Sequence, residues 1–258
     1  MPRPWRNSLF GRKLAPEQIA SAEELKAAFL VNVNHQIRNP LNIIAGHAEL
    51  LSDRVSAGDH ESAKSLTAIV GATRQLERNL RAIIDLSRLE SGMFRIAPVS
   101  LEILSRIRWE LLEVQPEAEN KGLRINLHAP DSKLIISIDE YCFTHALANV
   151  LDNAMNYTEH GAITVRVGRG QEDVLVEVED TGVGIDPADL PKLFRPFSRG
   201  RHSAANPYGM GLGLALAKRY LALNGADLLT RSRRGAGSVF TIRLPASASS
   251  WGRGNGST

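Results

Sequence analysis

Along the first third of the chain, apolar residues recur three and four positions apart, the spacing of one helix face. Phe29, Val33, Ile37, Leu41, Ile44, Ala48 and Leu51 fall, at 100° per residue, within a sector of roughly 120°. This stripe predicts one long helix over residues 17–53. A polar turn follows around Ala57-Gly58-Asp59, and then a second stripe of Leu66, Ile69, Thr73, Leu76, Leu80 and Ile83. Two stripes joined by a short loop predict a helical hairpin. Its seams cannot enclose themselves, so a homodimeric four-helix bundle is expected. Pro40 removes one amide donor and should kink the first helix.

The period breaks between Ser91-Gly92 and Pro98 and then becomes mixed. Leu123, Ile125 and Leu127 alternate as a strand does, as do Ile163, Val165 and Val167, and Val174, Val176 and Val178. Val239, Thr241, Ile242 and Leu244 follow the same pattern more roughly. Helices are predicted near 101–120, 140–157 and 212–224. The expected fold class is α+β: a dimerising hairpin followed by an α/β sandwich, a sheet covered by helices on one face. The expected division is a basic flexible N-terminus over 1–16, the hairpin over 17–90 and a linker over 91–98. A second domain would fill 99–246, and a Ser/Gly-rich disordered tail 247–258.

Composition narrows the class without naming it. Of 258 residues, 43% are hydrophobic and 23% charged, as in globular proteins that bury a core. A net charge of +3 is too small to argue for nucleic acid as a partner. No apolar run is long enough to predict a transmembrane segment, and the start lacks a signal-peptide pattern. One cysteine, Cys142, excludes an internal disulfide framework and suits a reducing, cytoplasmic setting. It is read as a small core residue. The basic N-terminus also carries Trp5, Leu9 and Phe10, so a weak membrane-surface or partner contact competes there with a loose tail.

Chemistry enters with His35, about 180° from the middle of the first stripe and therefore aimed at solvent. An imidazole held outward on a helix is a competent nucleophile near neutral pH. Three patches in the second domain suggest what it would attack. Asn149 and Asn153, four apart, project from one helix face, and carboxamide oxygens suit a Mg²⁺ ion that borrows substrate phosphates. Tyr157, one turn on, is placed to lay its ring against a base. Asp180 ends a strand before Thr-Gly182-Val-Gly184, so an acceptor-only carboxylate beside glycines suits an adenine amino group. Gly209-Met-Gly211-Leu-Gly213 enters a helix whose amides would cradle phosphates. Between them, Phe194, Phe197 and Arg199 belong to an expected mobile lid. Neither the dinucleotide G-x-G-x-x-G spacing nor a phosphate-binding G-x-x-x-x-G-K-[ST] loop fits.

These patches together resemble the boxes of bacterial two-component sensor histidine kinases. FLVNVNHQIRNPLNII resembles the H box, NVLDNAMNYT the N box, VEDTGVGI the G1 box, LFRPFSRG the F box and GMGLGLALAK the G2 box. The resemblance runs from about residue 20 to 245. It implies an ATP-binding domain of the type shared with heat-shock chaperone, gyrase and mismatch-repair ATPases. It also implies ATP-dependent phosphorylation of His35 through Nε2 and transfer to an aspartate of a response regulator. Asn153 would then hold Mg²⁺ with Asn149 close by, and Tyr157 and Asp180 would read adenine. Gly182, Gly184, Gly209, Gly211 and Gly213 would shape the pocket, and Phe194 and Phe197 would seat the lid.

Two positions depart from that pattern. Gln36 stands where the family has an acidic residue beside the phosphoacceptor, so a slow autokinase is expected. Asn156 stands where a lysine normally reaches the phosphates, so ATP binding should be weak unless Arg199 or another cation compensates. Asn39, one turn after His35, matches the position that orients a water for dephosphorylating the regulator. A degraded kinase serving as a phosphotransfer scaffold is the alternative reading, and a serine-directed anti-sigma kinase a third. His145 is expected to be a packed histidine rather than a ligand. With about 20 residues before the first helix, the signal is expected from a partner protein or from an input domain outside this sequence.

Overall fold

The structure is a computed structural model that describes residues 37, 41–44, 46–48, 50–51, 60–170, 172–198 and 210–245. His35, Gln36, Asn39, Pro40, Arg199 and Gly209 lie outside the described residues. The chain forms two compact units, Met1–Asn79 and Leu80–Thr258. No helix among the described residues is long and apolar enough to cross a membrane.

In the first unit the described residues over 41–51 are helical. Helix α1, His60–Glu90, begins there and runs on into the second unit. Its apolar positions form two faces rather than one. Ala72 and Leu86 are buried and Ile69, Leu76 and Ile83 half-buried, whereas Leu66, Val70, Leu80 and Ile84 are 43–55% exposed. At 100° per residue these last four lie within about 80° of one another. The sequence pattern had merged Leu66 and Leu80 with the inner stripe. One face is covered and the other is open.

The second unit builds a five-stranded sheet and a two-stranded ribbon. The strands are β1 (Val99–Glu102), β2 (Arg124–His128), β3 (Ile135–Ile138), β4 (Ala162–Arg169), β5 (Asp173–Asp180), β6 (Asp227–Ser232) and β7 (Ser238–Pro245). The sheet order is β2-β4-β5-β7-β6, with β2 and β4 parallel and the other pairs antiparallel; β1 and β3 form the ribbon. Helices α2 (Ile103–Asn120), α3 (Glu140–Tyr157) and α4 (Gly213–Leu223) complete the domain. The strict alternation along β5 buries Val174, Val176 and Val178, and β7 turns Phe240, Ile242 and Leu244 inward. On the helices, Phe143, Leu147, Val150, Leu216 and Leu221 are buried as well, so the core is a single helix-on-sheet layer.

Strands β1, β3 and β6 were not legible in the sequence: β1 is only four residues long, and β3 and β6, of four and six, show no alternation of apolar and polar residue types. The first predicted helix of this domain also starts later than 101. Residues 101 and 102 finish β1, and the Glu102 carboxylate accepts from the Leu104 and Ser105 amides as an N-cap. Asp139 caps α3 in the same way, accepting from Cys142 N at 2.8 Å. Burial pushes the Asp139 carboxyl upward, but bonds from the Ala97 and Cys142 amides outweigh it and hold the group below its ordinary range. Cys142 is fully buried, and that burial pushes its thiol up to about 12, so it packs as expected of a core residue.

Candidate functional site

Helix α3 carries two faces in register. Positions 142, 143, 146, 147, 150, 151, 154 and 155 are buried, while Asn149, Asn153, Asn156 and Tyr157 on the other side are half-buried. The period of 3.6 that fills the core thus leaves a polar amide row at the surface of the same helix. Three turns converge on it. The Tyr157 carbonyl accepts from Val183 N at 3.2 Å, fastening the end of α3 to the Asp180–Gly184 turn. A Cβ built on Gly213, the first residue of α4, would stand 3.0 Å from the Asn149 amide oxygen. The start of α4 therefore lies against the amide row, as a phosphate cradle at a helix N-terminus requires. A Cβ on Gly211 would lie 2.6 Å from the Ser198 carbonyl and 3.0 Å from the Phe197 carbonyl carbon, which joins the end of the Phe194–Phe197 segment to the same turn.

Asp180 closes the base of this group. It is 3% exposed at the end of β5, and its Oδ1 accepts from Gly182 N at 2.9 Å and Ser238 N at 3.2 Å. Burial pushes its carboxyl above the usual carboxylate range, against the opposing pull of those amides. Ser238, which begins β7, was not found from the sequence; only the β5–β7 register brings it there.

The glycines of the turn have a different reason from the one their pattern suggests. Gly184 has φ +66°, and a Cβ there would stand 2.1 Å from the Arg233 carbonyl. The neighbouring backbone, and not only an approaching ring, excludes a side chain. Phe197 adopts φ +62°, an uncommon left-handed conformation for a bulky residue. Phe194 lies under the Lys218 ammonium, 5.2 Å from its ring centroid, and Lys218 is fixed in turn by Asp227 at 2.6 Å and the Leu228 carbonyl at 2.7 Å.

The structure thus brings together Asn149, Asn153, Tyr157, Asp180, Gly182, Gly184, Phe197, Gly211 and Gly213. Among the described residues no cluster of three His, Cys, Asp or Glu side chains suits a metal ion. A divalent cation at the amide row would be held by carboxamide oxygens together with water or a nucleotide's phosphate oxygens. That donor set fits Mg²⁺, which binds few protein ligands and keeps water. His145 is half-buried and bonded to Arg81 and the Tyr141 carbonyl, in accord with its reading as a packed residue.

Comparison with known proteins gives the class first. Residues 138–248 match the histidine kinase-, DNA gyrase B-, and HSP90-like ATPase family, and residues 25–92 match the His Kinase A (phospho-acceptor) domain. The chain is 29% identical over 240 residues to the autoinducer 2 sensor kinase/phosphatase LuxQ of Vibrio parahaemolyticus, an alignment covering 90% of this chain and 28% of that protein. Two solved structures share the fold. Full-length ShkA in complex with AMPPNP gives a TM-score of 0.62 at 24% identity, over 91% of this chain and 47% of that one. The histidine kinase ThkA in complex with the response regulator protein TrrA gives 0.62 at 21%, over 90% and 64%. The chain belongs to the two-component sensor histidine kinases, of which it carries the phosphoacceptor and ATPase core. It spans only 12–37% of the length of curated relatives such as this one.

Proposed function

We propose that this chain uses Mg²⁺-ATP to phosphorylate His35 and passes the phosphoryl group to an aspartate of a response regulator's receiver domain. The observation that carries this reading is the convergence of the α3 amide row, the Asp180 turn and the α4 N-terminus, in a chain whose sequence also matches a phosphoacceptor domain containing His35. The His35 Nε2 lone pair forms the bond to the γ-phosphorus as the bond to the β,γ-bridging oxygen breaks, and ADP leaves. Asp180 would accept from the adenine amino group, Tyr157 would stack on the base, and the Gly211–Gly213 turn would cradle the phosphates. Asn153, with Asn149 beside it, would hold the Mg²⁺ ion, which supplies charge to offset the phosphates. Phe194, Phe197 and Arg199 would close over the nucleotide, and Gly209 would complete its turn.

Gln36 could accept a hydrogen bond from the His35 ring but would bring no charge, so a slow phosphorylation step is expected and Gln36→Glu should speed it. Asn156→Lys should tighten ATP binding. Asn39 would orient water on the phosphorylated regulator, a role in keeping with the kinase/phosphatase name of the LuxQ relative. The open face of α1 supports a homodimer, since Leu66, Val70, Leu80 and Ile84 form the second apolar face that a four-helix bundle would cover. Leu80→Glu should shift the chain towards monomer in analytical ultracentrifugation.

The deciding experiment incubates the purified chain with γ-labelled ATP. Label that is acid-labile, base-stable and lost in His35→Gln is expected; acid-stable label, or none, overturns the reading. The scaffold alternative rests on Gln36 and Asn156 and predicts nucleotide binding without label.

A further inference from the structure

The outer side of α2 carries an apolar patch that the nucleotide site does not use. Ile107, Leu111 and Ala118 gather on one side of this helix and are buried. On the opposite side Trp109 and Leu112 are 57% and 66% exposed, and Pro116 is exposed as well. At 100° per residue these three lie within about 60° of one another, at the centre of the open face. The charges around them are sorted along the helix. Arg106 and Arg108 stand in its N-terminal half, and Glu113, Glu117 and Glu119 in its C-terminal half. Around the wheel, Arg106, Glu113 and Glu117 flank the patch on one side, Arg108 and Glu119 on the other. Each flank therefore runs from positive to negative. Arg106 and Glu117 also have partners within the chain, at Glu140 and Lys121, whereas Glu119 accepts a neutral hydrogen bond from Gln115 at 2.8 Å.

Such a face is complementary to itself turned end for end. A twofold axis beside Leu112, with a second copy's α2 running antiparallel, sets Leu112 against the partner's Leu112 and Trp109 against the partner's Pro116. The same axis carries each flank onto its own counterpart. Arg108 then meets the partner's Glu119 on one side, and Arg106 nears the partner's Glu117 on the other. A parallel pairing would instead set like charges together. Pro116 adds a directional cue: it has no amide to give the Leu112 carbonyl, so that acceptor lacks its helical partner in the middle of the patch. In the antiparallel register the partner's Trp109 lies roughly 4.5 Å away along the axis and brings an indole N–H donor. Apolar, charged and hydrogen-bonding features all select one occupant, another copy of this helix.

We propose that α2 is a second self-association surface, at which the helix of one copy pairs antiparallel with α2 of another about Leu112. One helix pair covers less than the roughly 1,000 Å² of a lasting interface, so the contact is weak and forms between copies held at high local concentration. It is separate from the open face of α1. With a homodimer formed there, each chain has two isologous contacts, which assemble a dimer of dimers or a longer row.

Cysteine cross-linking in the full chain tests this, because the native Cys142 is buried. Leu112→Cys, at the axis, should form disulfide-linked pairs under mild oxidation about tenfold faster than Glu172→Cys, an exposed control between β4 and β5. In mixed samples Arg108→Cys should link to Glu119→Cys, and neither to itself. Arg108→Glu should slow the Leu112→Cys link by about tenfold, since two symmetry-related attractions become repulsions, and adding Glu119→Arg should restore it. Linking no faster than the control, Arg108→Cys linking to itself, or a reversal that the second change fails to rescue overturns the surface. All these substitutions leave α1 and the nucleotide residues untouched, so a failed homodimer or a chain that binds no ATP would leave the outcome readable.

Discussion

The nucleotide pocket and the Asp85 clasp, in which the buried Asp85 carboxylate of α1 accepts from the Tyr141 and Tyr220 hydroxyls, are built by opposite means. In the pocket, short continuous runs do the work, and the decisive partners are backbone groups: the Tyr157 and Arg233 carbonyls and the Gly182 and Ser238 amides. In the clasp, single side-chain tips meet across 56 and 135 positions of sequence. Backbone geometry dictates residue type locally, so a glycine or an aspartate there is nearly forced. A hydroxyl reaching a distant carboxylate has many local substitutes. The first kind of site reads as a motif, and the second stays silent in a single sequence.

The strongest way to break the pocket side of this contrast is Gly184→Ala. The left-handed backbone alone costs roughly 1–2 kcal/mol, and overpacking against the Arg233 carbonyl about as much again or more. A loss of about 3 kcal/mol in chemical denaturation is expected, together with nucleotide binding. Gly168→Ala, where a Cβ meets open space, is the control and should stay within about 0.5 kcal/mol. Equal effects at the two positions would mean that the turn is not dictated by its backbone.

That distinction also explains how much was legible beforehand. Strands β4, β5 and β7 and helix α3 announced themselves because their apolar periods are long and one face is buried. The ribbon of β1 and β3 escaped because four residues carry too little periodicity, and β6 because its two leucines, Leu228 and Leu229, are adjacent and point to opposite faces. At the site, Asp180 and its glycines were readable, yet the reason for Gly184 was not, because Arg233 approaches from a strand end 49 positions further on. Tyr220 drew no reading beyond its place in the predicted helix 212–224; nothing near it in sequence hints that its hydroxyl meets Asp85.

Asp180→Asn sharpens the contrast from within the pocket. The native carboxyl titrates above its ordinary value of 3.8 because it is buried, so its ionised form opposes folding. That cost is present above the folded-state value and disappears as pH falls through it. An amide oxygen can still accept from Gly182 and Ser238, so stability should hold or rise slightly. ATP affinity should instead fall by about 1.5–3 kcal/mol, the worth of a hydrogen bond to a charged acceptor. Denaturation and calorimetric titration of one sample would show the two quantities moving apart; a joint loss would make Asp180 merely structural.

On the clasp side, Tyr220→Phe should cost more than Tyr141→Phe. Both take a donor from a buried carboxylate, but Tyr220 is itself almost fully buried and Tyr141 is 37% exposed, so water can replace only the second hydroxyl. Losses of about 2 and about 1 kcal/mol are expected by denaturation. Equal losses would mean that water reaches both hydroxyls alike.

The smallest effect is that of pH on the clasp. His145 Nδ1 faces a carbonyl and must carry the proton, which leaves Nε2 as the acceptor for Arg81, so the ring is held neutral. Burial lowers its pKa first, and the Arg81 charge adds to this; the Tyr141 carbonyl and Asp85 pull the other way. Tyr220 packs edge-on at 6.4 Å and keeps its proton, its hydroxyl pKa pushed up by burial and by Asp85. The folded-state pKa lies below the ordinary 6.5, so the stability contributed by neutral His145 is full above that value and is lost as pH falls through the folded one. Acidification from pH 7.5 to 5.5 should therefore lower the stability of the parent, measured by denaturation, more than that of His145→Gln, whose amide cannot take up a proton. A parent that loses no more stability than His145→Gln over this range would place His145 outside the clasp and reduce the cluster to Asp85 and its two tyrosines.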